Sequence, residues 1–157
     1  MIKKQIIFGI IVAIILGIGY YTISPLFIHT RVDDVVPQAA QASAGIKINS
    51  GIDVRSEKSI SVTGTSGHPA SGTVKIVRID GKTYLRYENF KTINGPDIYV
   101  YLAKNLDAKE YVSLGKVRAT EGNINYEIPS NVNIADYPYA LTWCKTFGVL
   151  FNSAKLN

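Results

Sequence analysis

The pattern of apolar and polar positions divides the chain into two regions. Residues 6–23 form an apolar run of 18 residues without a charge, and at about 1.5 Å per residue a helix of this length nearly crosses a hydrocarbon core of about 30 Å. The alternative is a cleaved signal peptide, whose apolar part is only about 7–15 residues long. Lys3 and Lys4 precede the run, and basic residues favour the cytoplasmic side. The pattern therefore predicts a single-pass anchor in the cell membrane, with a cytoplasmic N-terminus and an extracytoplasmic C-terminal region.

The composition changes after the apolar run. Residues 31–44 mix Asp, Pro, Gln, Ala and Ser with little periodicity, which is typical of a tether. The remaining residues suffice for one domain with a single core. We therefore predict a cytoplasmic N-terminus (1–5), a transmembrane anchor (6–28), a stalk (29–50) and one extracytoplasmic domain (51–157).

Within that domain the apolar positions follow the two-residue period of β-strands. Ile98, Val100 and Leu102 alternate with residues of the other face, so one face of this strand is expected in the core. Asp80-Gly81 predicts a hairpin, because a type I′ turn needs φ > 0 at both central positions. Residues 128–135 have room for one short helical turn at most. Strand-like runs occupy residues 59–63, 73–80, 83–90, 97–104, 111–118 and 141–151. The predicted fold class is all-β: a small antiparallel β-sandwich preceded by one N-terminal transmembrane helix.

Composition and charge exclude several classes of protein. The chain has a net charge of +5 without a basic run, so nucleic-acid binding is not expected. Residues 51–157 contain one cysteine, one histidine and no methionine, too few for an iron–sulfur cluster, a c-type haem or a blue-copper centre. The carboxylates are scattered, and neither a dinucleotide fingerprint nor a Walker loop is present. A redox or binding module is therefore a better interpretation than a self-contained enzyme.

Several short motifs occur in a fixed order between residues 61 and 156. They are Gly72-Thr-Val, residues 85–90, the run from Asn94 to Leu102, Leu114-Gly115, residues 122–129, Trp143-Cys144-Lys145 and residues 151–156. Together they resemble the DM13 domain family. The resemblance implies a β-sandwich-like extracytoplasmic domain, which in other proteins accompanies DOMON and cytochrome b561 modules. It also implies an electron-transfer role centred on the cysteine that aligns with Cys144, with a membrane or extracytoplasmic redox protein as partner.

Cys144 is the residue on which the functional interpretation depends. A lone thiol cannot form an intramolecular disulfide, so it is either a buried packing residue or a site of chemistry. In a regular strand Leu141 and Trp143 face one way and Cys144 the other. The sequence leaves open whether the thiol is buried or exposed; if the large apolar pair fills the core, the thiol is exposed. Such a thiol can cycle through sulfenic acid or a mixed disulfide, or ligate a noncovalent haem or another metal, together with His68.

Other candidate binding residues lie in or beside predicted turns. Amide, carboxylate and imidazole groups next to aromatic faces are usual contacts for polar ligands, and the residues in question are Asn94, Asp97, Asn123, Tyr126, Trp143 and His68. The alternative for the Asn and Gly positions is turn chemistry, in which Asn side chains satisfy the local backbone and glycine supplies φ > 0. Three functions stay open: a redox module using Cys144, a noncatalytic cell-surface binding or adhesion module, and a structural envelope protein whose cysteine only packs.

Overall fold

A computed structural model of the chain describes residues 2–23, 29–36, 54–79 and 81–157. The first element is helix α1, Ile2–Ile23. A single 3₁₀ turn, Ile134–Asp136, lies close to the predicted short helical turn. The strands within the described ranges are β1 (Arg31–Asp33), β2 (Val54–Ser56), β3 (Ile60–Ser61), β4 (Thr63–Gly64), β5 (Ala70–Ile79), β6 (Lys82–Thr92), β7 (Ile98–Ala103), β8 (Tyr111–Lys116), β9 (Glu121–Ile128), β10 (Tyr139–Cys144) and β11 (Val149–Lys155).

After the polar residues of its first turn, helix α1 is apolar on every side. Its segment Lys4–Tyr21 has a mean hydropathy of 1.8, and none of it is buried against the rest of the protein. Among the described residues this is the one helix long and apolar enough to cross a membrane, although a signal sequence has the same properties. A helix without a polar face is suited to a lipid environment rather than to packing on a soluble domain.

The strands form two sheets that pack face to face, which confirms the predicted β-sandwich. The first sheet has the strand order β1-β9-β6-β5-β2, with β3 also paired to β5, and the second has the order β4-β11-β10-β7-β8. Neighbouring strands are antiparallel except β1 and β9, which are parallel. Among the described strands, only β5–β6, β7–β8 and β10–β11 join consecutive strands, and the pairings of β1 with β9 and of β4 with β11 join the most distant parts of the chain.

The core lies between the sheets and follows the alternation of the strands. Ile76, Leu85 and Ile124 point inward from the first sheet, and Val100 and Leu102 meet them from the second. All five are at most 2 % exposed. Burial of each such side chain contributes about 1.5–3 kcal/mol. The inward face predicted for the strand around Val100 is confirmed.

The predicted hairpin is present. Ile79 pairs with Lys82 across the turn between β5 and β6. Gly81 has a φ of 74°, which glycine adopts without steric cost. Asp80 lies outside the described residues.

Two segments differ from the sequence prediction. Residues 141–151, expected as one strand, form the hairpin of β10 and β11 with a turn at residues 145–148. Strand β9 is absent from the predicted set, because its Gly and Asn residues are typical of turns. However, Ile124, Tyr126 and Ile128 alternate into the core, and this burial outweighs the low strand propensity of Gly and Asn.

The beginning of the predicted stalk belongs to the first sheet. Strand β1 pairs in parallel with the start of β9, with Val32 opposite Gly122. The carbonyl of Thr30 accepts a hydrogen bond from the backbone N–H of Thr120 at 2.9 Å. These contacts join positions ninety residues apart, which no local pattern reveals. The greater part of the predicted stalk, residues 37–50, lies outside the described residues.

Asp34 fixes the end of β1 to the sheet. Its carboxylate accepts hydrogen bonds from the Arg118 guanidinium at 2.6 Å and from the backbone N–H of Asn125 at 2.9 Å. Burial by itself raises the pKa of this carboxyl, but these hydrogen bonds and the charges of Arg118 and Arg86 bring the pKa below its ordinary value. The pKa of Asp34 is therefore lower in the folded state than in the unfolded state. The contribution of Asp34 to the free energy of unfolding is complete above about pH 4 and is lost as the pH falls through the folded-state pKa.

Short connections bring the ends of the two sheets together where the chain enters from α1. Residues 65–69, 93–97 and 117–120 each join a strand end of one sheet to a strand end of the other. The turn at residues 145–148 adjoins them, because the backbone N–H of Lys145 donates to the carbonyl of Asp97 at 2.9 Å. These three connections and the turn are termed the entry end.

We expect Gly122→Ala to detach β1. The φ values of Gly122 and Gly115 are 112° and 110°, so alanine adds similar backbone strain, about 1–2 kcal/mol, at either position. An added Cβ at Gly122 would lie 2.0 Å from the carbonyl oxygen of Val32, whereas at Gly115 it meets nothing within 4 Å.

Gly115→Ala is therefore the matched control. In chemical denaturation G122A should lose about 2 kcal/mol more than G115A, because the hydrogen bonds between β1 and β9 are lost as well. Hydrogen exchange should show faster exchange of the backbone N–H of Asn123 in G122A. Equal losses of stability in the two variants would contradict the close approach of β1 to Gly122.

Candidate functional site

The residues predicted from the sequence fall into two groups. Cys144, Trp143, Asp97, Asn94 and His68 lie at or beside the entry end, brought together from the end of β10 and two loops. The other two residues, Asn123 and Tyr126, lie on β9 in the first sheet.

Cys144 is completely buried, which is the packing arrangement that the sequence left open beside an exposed thiol. It is 0 % exposed and lies opposite Ile98 of β7 and Val149 of β11. It packs in one apolar cluster with Ile98 and Phe151, and Val117 borders the same cluster. In this conformation the sulfur has no direct access to solvent or to a partner.

The direction in which the side chains of β10 point explains the burial of Cys144. Ala140, Thr142 and Cys144 face the space between the sheets, whereas Leu141 and Trp143 face away from it, in a cluster on the other side of the second sheet. The first sheet fills the space between the sheets with large side chains, so small residues fit opposite them. The rule that large apolar residues face the core therefore misleads for β10.

The outer face of the second sheet is covered by aromatic side chains. Tyr101 stacks on Tyr111 with ring centroids 4.0 Å apart, and Tyr101 is only 2 % exposed. Half-buried Tyr99, Tyr139 and Trp143 pack around the buried Leu141. We term these five rings the outer aromatic cluster. This cluster buries Leu141 on the side of the second sheet that faces away from the sandwich core.

The ring of Phe151 links His68 to the cluster that contains Cys144. The rings of His68 and Phe151 stack with centroids 4.1 Å apart and an interplanar angle of 29°. Gly95 lies against the same ring, since a Cβ there would be 2.9 Å from Phe151. Gly95 is not among the glycines with positive φ, so close approach rather than turn geometry requires glycine here. The sequence prediction did not include Phe151, because an aromatic residue in a strand is typical of any core.

Asp97 holds the turn that follows Cys144. Its carbonyl accepts the Lys145 N–H at 2.9 Å. One carboxylate oxygen lies 3.4 Å from the hydroxyl of Thr146, and the other lies 3.2 Å from the ammonium of Lys116. The side chain that the sequence suggested as a ligand contact therefore holds the turn that follows the buried thiol.

Three other candidates serve the fold. The Asn94 side chain accepts a hydrogen bond from the next backbone N–H at 2.9 Å, as the turn interpretation expected. The amide of Asn123 donates to the Asp33 carboxylate at 3.0 Å and so holds β1. The Tyr126 hydroxyl accepts the backbone N–H of Arg118 at 3.0 Å, and burial raises the pKa of this phenol to about 12. These internal contacts weaken the interpretation of the three residues as a ligand site.

The residues around Cys144 do not fit a haem. An axial thiolate needs open space on the sulfur, and the side chains packed around Cys144 leave none. The Nδ1 atom of His68 is 3.1 Å from the Thr65 hydroxyl, which leaves only Nε2 for a ligand. Over the described ranges, no three His, Cys, Asp or Glu side chains are grouped closely enough to hold a metal ion.

A family model described as "Electron transfer DM13" matches residues 62–156, which is more than half of the chain. The chain belongs to the DM13 family. This membership confirms the resemblance noted in the sequence, and the description of the family agrees with a redox role. The matched region contains β4 to β11 with Cys144, His68 and Asp97, whereas α1 and β1 precede it. No curated protein and no solved structure matches this chain.

We expect Asp97→Ala to make Cys144 accessible. Loss of the carboxylate removes the contacts to Thr146 and Lys116, so the turn should open more often. Iodoacetamide should alkylate native D97A about three- to tenfold faster than the wild type, as measured by mass spectrometry. A factor of this size is expected because one or two modest polar interactions are lost.

Asp107→Ala is the matched control, since Asp107 is also paired with a lysine, Lys109, but lies in the loop between β7 and β8. D107A should alkylate at the wild-type rate. The same rate in D97A as in the wild type would show that Asp97 does not control access to the thiol.

Proposed function

We propose that this DM13 protein is a membrane-anchored electron-transfer module whose redox centre is the thiol of Cys144. One observation carries the proposal: the sole cysteine of a chain in an electron-transfer family ends β10, directly before a turn that the Asp97 side chain contacts through the hydroxyl of Thr146. A cysteine needed only for packing requires no such position at the rim of the sandwich.

The proposed chemistry moves two electrons through sulfur. The Cys144 thiolate attacks a peroxide, the O–O bond breaks, and the sulfur becomes a sulfenic acid while water or an alcohol leaves. A thiol of a reducing partner then displaces water from the sulfenic acid and forms a mixed disulfide. A second partner thiol attacks the partner's own sulfur. Cys144 returns as a thiol, and two electrons have passed from the partner dithiol to the peroxide.

Burial of Cys144 controls when this chemistry happens. A sulfur with no exposed surface reacts only in molecules whose turn at residues 145–148 is open. Brief opening limits further oxidation to sulfinic acid, which is irreversible for most proteins. A partner that binds the open turn selects the reactive form, so the reaction depends on the partner rather than on bulk oxidant.

The membrane anchor in this proposal is α1. Its uncharged apolar run, residues 6–23, and the basic residues Lys3 and Lys4 in its first turn support a single span with the β-domain on the extracytoplasmic side. An anchored domain meets its redox partners at the membrane surface.

Peroxide treatment of the folded full-length protein should produce a sulfenic acid at Cys144. Dimedone trapping and mass spectrometry locate the adduct, and the yield should be higher in D97A than in the wild type. Cys144→Ala is the control without adduct. It is preferable to Cys144→Ser, because burying an unpaired hydroxyl is expected to cost about 1–3 kcal/mol. If only urea-denatured protein forms the adduct, in both the wild type and D97A, Cys144 is a packing residue.

The full-length protein should remain in the membrane fraction after a high-salt wash and leave it only with detergent. Salt screens surface charges but does not weaken the burial of an 18-residue apolar run. A C-terminal tag should be accessible from the extracytoplasmic side. Recovery of a soluble form shortened at its N-terminus would show that α1 is a cleaved signal sequence.

A further inference from the structure

We propose that the entry end docks on the bilayer surface, with Phe147 inserted among the lipid headgroups. This inference rests on the membrane anchor proposed above. Phe147 is 68 % exposed, more than any other large apolar side chain described outside α1. It lies in the turn between β10 and β11, and the fold does not require an exposed aromatic side chain at this position.

The surface beside Phe147 has the composition of a membrane interface. The ammonium groups of Lys116 and Lys145 lie 5.7 and 5.6 Å from the ring centroid of Tyr99, and half-buried Trp143 is paired with Tyr99. Rings that combine an apolar body with a polar group favour the headgroup region, and lysine side chains extend from it toward phosphate. Asp97 neutralises one of the two lysines. One positive charge remains in excess, which favours acidic phospholipid.

A short tether, the connection between α1 and Thr30, brings this surface close to the membrane. Helix α1 ends at Ile23, and seven Cα steps of at most about 3.6 Å limit Thr30 to about 25 Å from that end. The backbone N–H of Thr30 donates to the Thr120 hydroxyl at 3.0 Å. A short tether of this kind keeps the point of entry near the headgroups.

A series of hydrogen bonds connects the point of entry to the second sheet. The carbonyl of Thr120 accepts the Thr92 N–H at 2.9 Å, and the Thr92 hydroxyl accepts from Asn152 at 3.1 Å. Asn152 lies opposite Thr142, and β10 continues past this pair to Cys144 before the turn begins. The turn with Phe147 therefore lies beyond the point where the two sheets meet, on the side from which the chain arrives.

Trp143 gives a direct readout of docking, because it is the only tryptophan of the chain. The full-length protein is reconstituted into nanodiscs of phosphatidylcholine, with or without phosphatidylglycerol, that contain a headgroup-labelled nitroxide lipid as quencher. Docking predicts strong quenching of Trp143 emission. Quenching should be stronger with phosphatidylglycerol, and this difference should disappear at high salt.

Phe147→Ser should lower the ratio of docked to undocked protein about tenfold. This factor corresponds to the lower end of the free energy gained when one Phe side chain moves from water into an apolar environment. Lys145→Gln should remove the dependence on phosphatidylglycerol. Lys155→Gln is its matched control, because Lys155 is exposed at the far end of β11, and it should behave as the wild type. Since Phe147 is mostly exposed, thermal unfolding of F147S should be unchanged.

Equal quenching in the wild type and F147S would mean that the tether alone brings Trp143 to the lipid, and it would overturn docking while leaving the anchor intact. Failure of the protein to enter nanodiscs would overturn the anchor and docking together. Neither result bears on the redox chemistry of Cys144, which the dimedone experiment tests separately.

Discussion

The register between β10 and β7 determines most of what the site can do. Cys144 lies opposite Ile98 and Thr142 opposite Val100, which turns the small residues of β10 toward the first sheet. A shift of one residue would reverse every side chain of the strand, exposing the thiol and forcing Trp143 into the space between the sheets. The outer aromatic cluster opposes such a shift, because it supplies a second apolar environment for Leu141. Burial of the thiol therefore depends on packing on the far side of its own sheet.

The sequence was sufficient to predict the elements whose pairing is local. The alternation of Val100 and Leu102 and the hairpin before Gly81 follow from two-residue periodicity and turn chemistry, and both are present. Strand β9 shows the same alternation, but its Gly and Asn residues suggest turns. Strand β1 is three residues long and pairs with residues ninety positions away, so only the tertiary structure reveals it.

The candidate site was predictable in part. The motif order pointed to Cys144, and Asp97 was among the candidate residues beside the predicted turns. The side of β10 on which the thiol lies depends on which sheet brings the larger side chains, and no single strand contains that information. Gly95 looks like a turn residue in the sequence, whereas in the structure glycine is required there because the ring of Phe151 leaves no space for a Cβ. Phe147 carries no signal at all until the turn between β10 and β11 is known.

The parallel attachment of β1 has a mechanical consequence. The chain from α1 reaches β1 at its first residue, so tension applied from the N-terminal side acts along the strand rather than across it. The hydrogen bonds between β1 and β9 run between the strands, and such a load stretches them together instead of one at a time. Asp34, bound to Arg118 and Asn125 behind the strand, shares the same load. A domain held in this way can withstand a pull on its N-terminal side while its fold stays intact, whereas a pull on the residues after Asp34 would peel the strand away bond by bond.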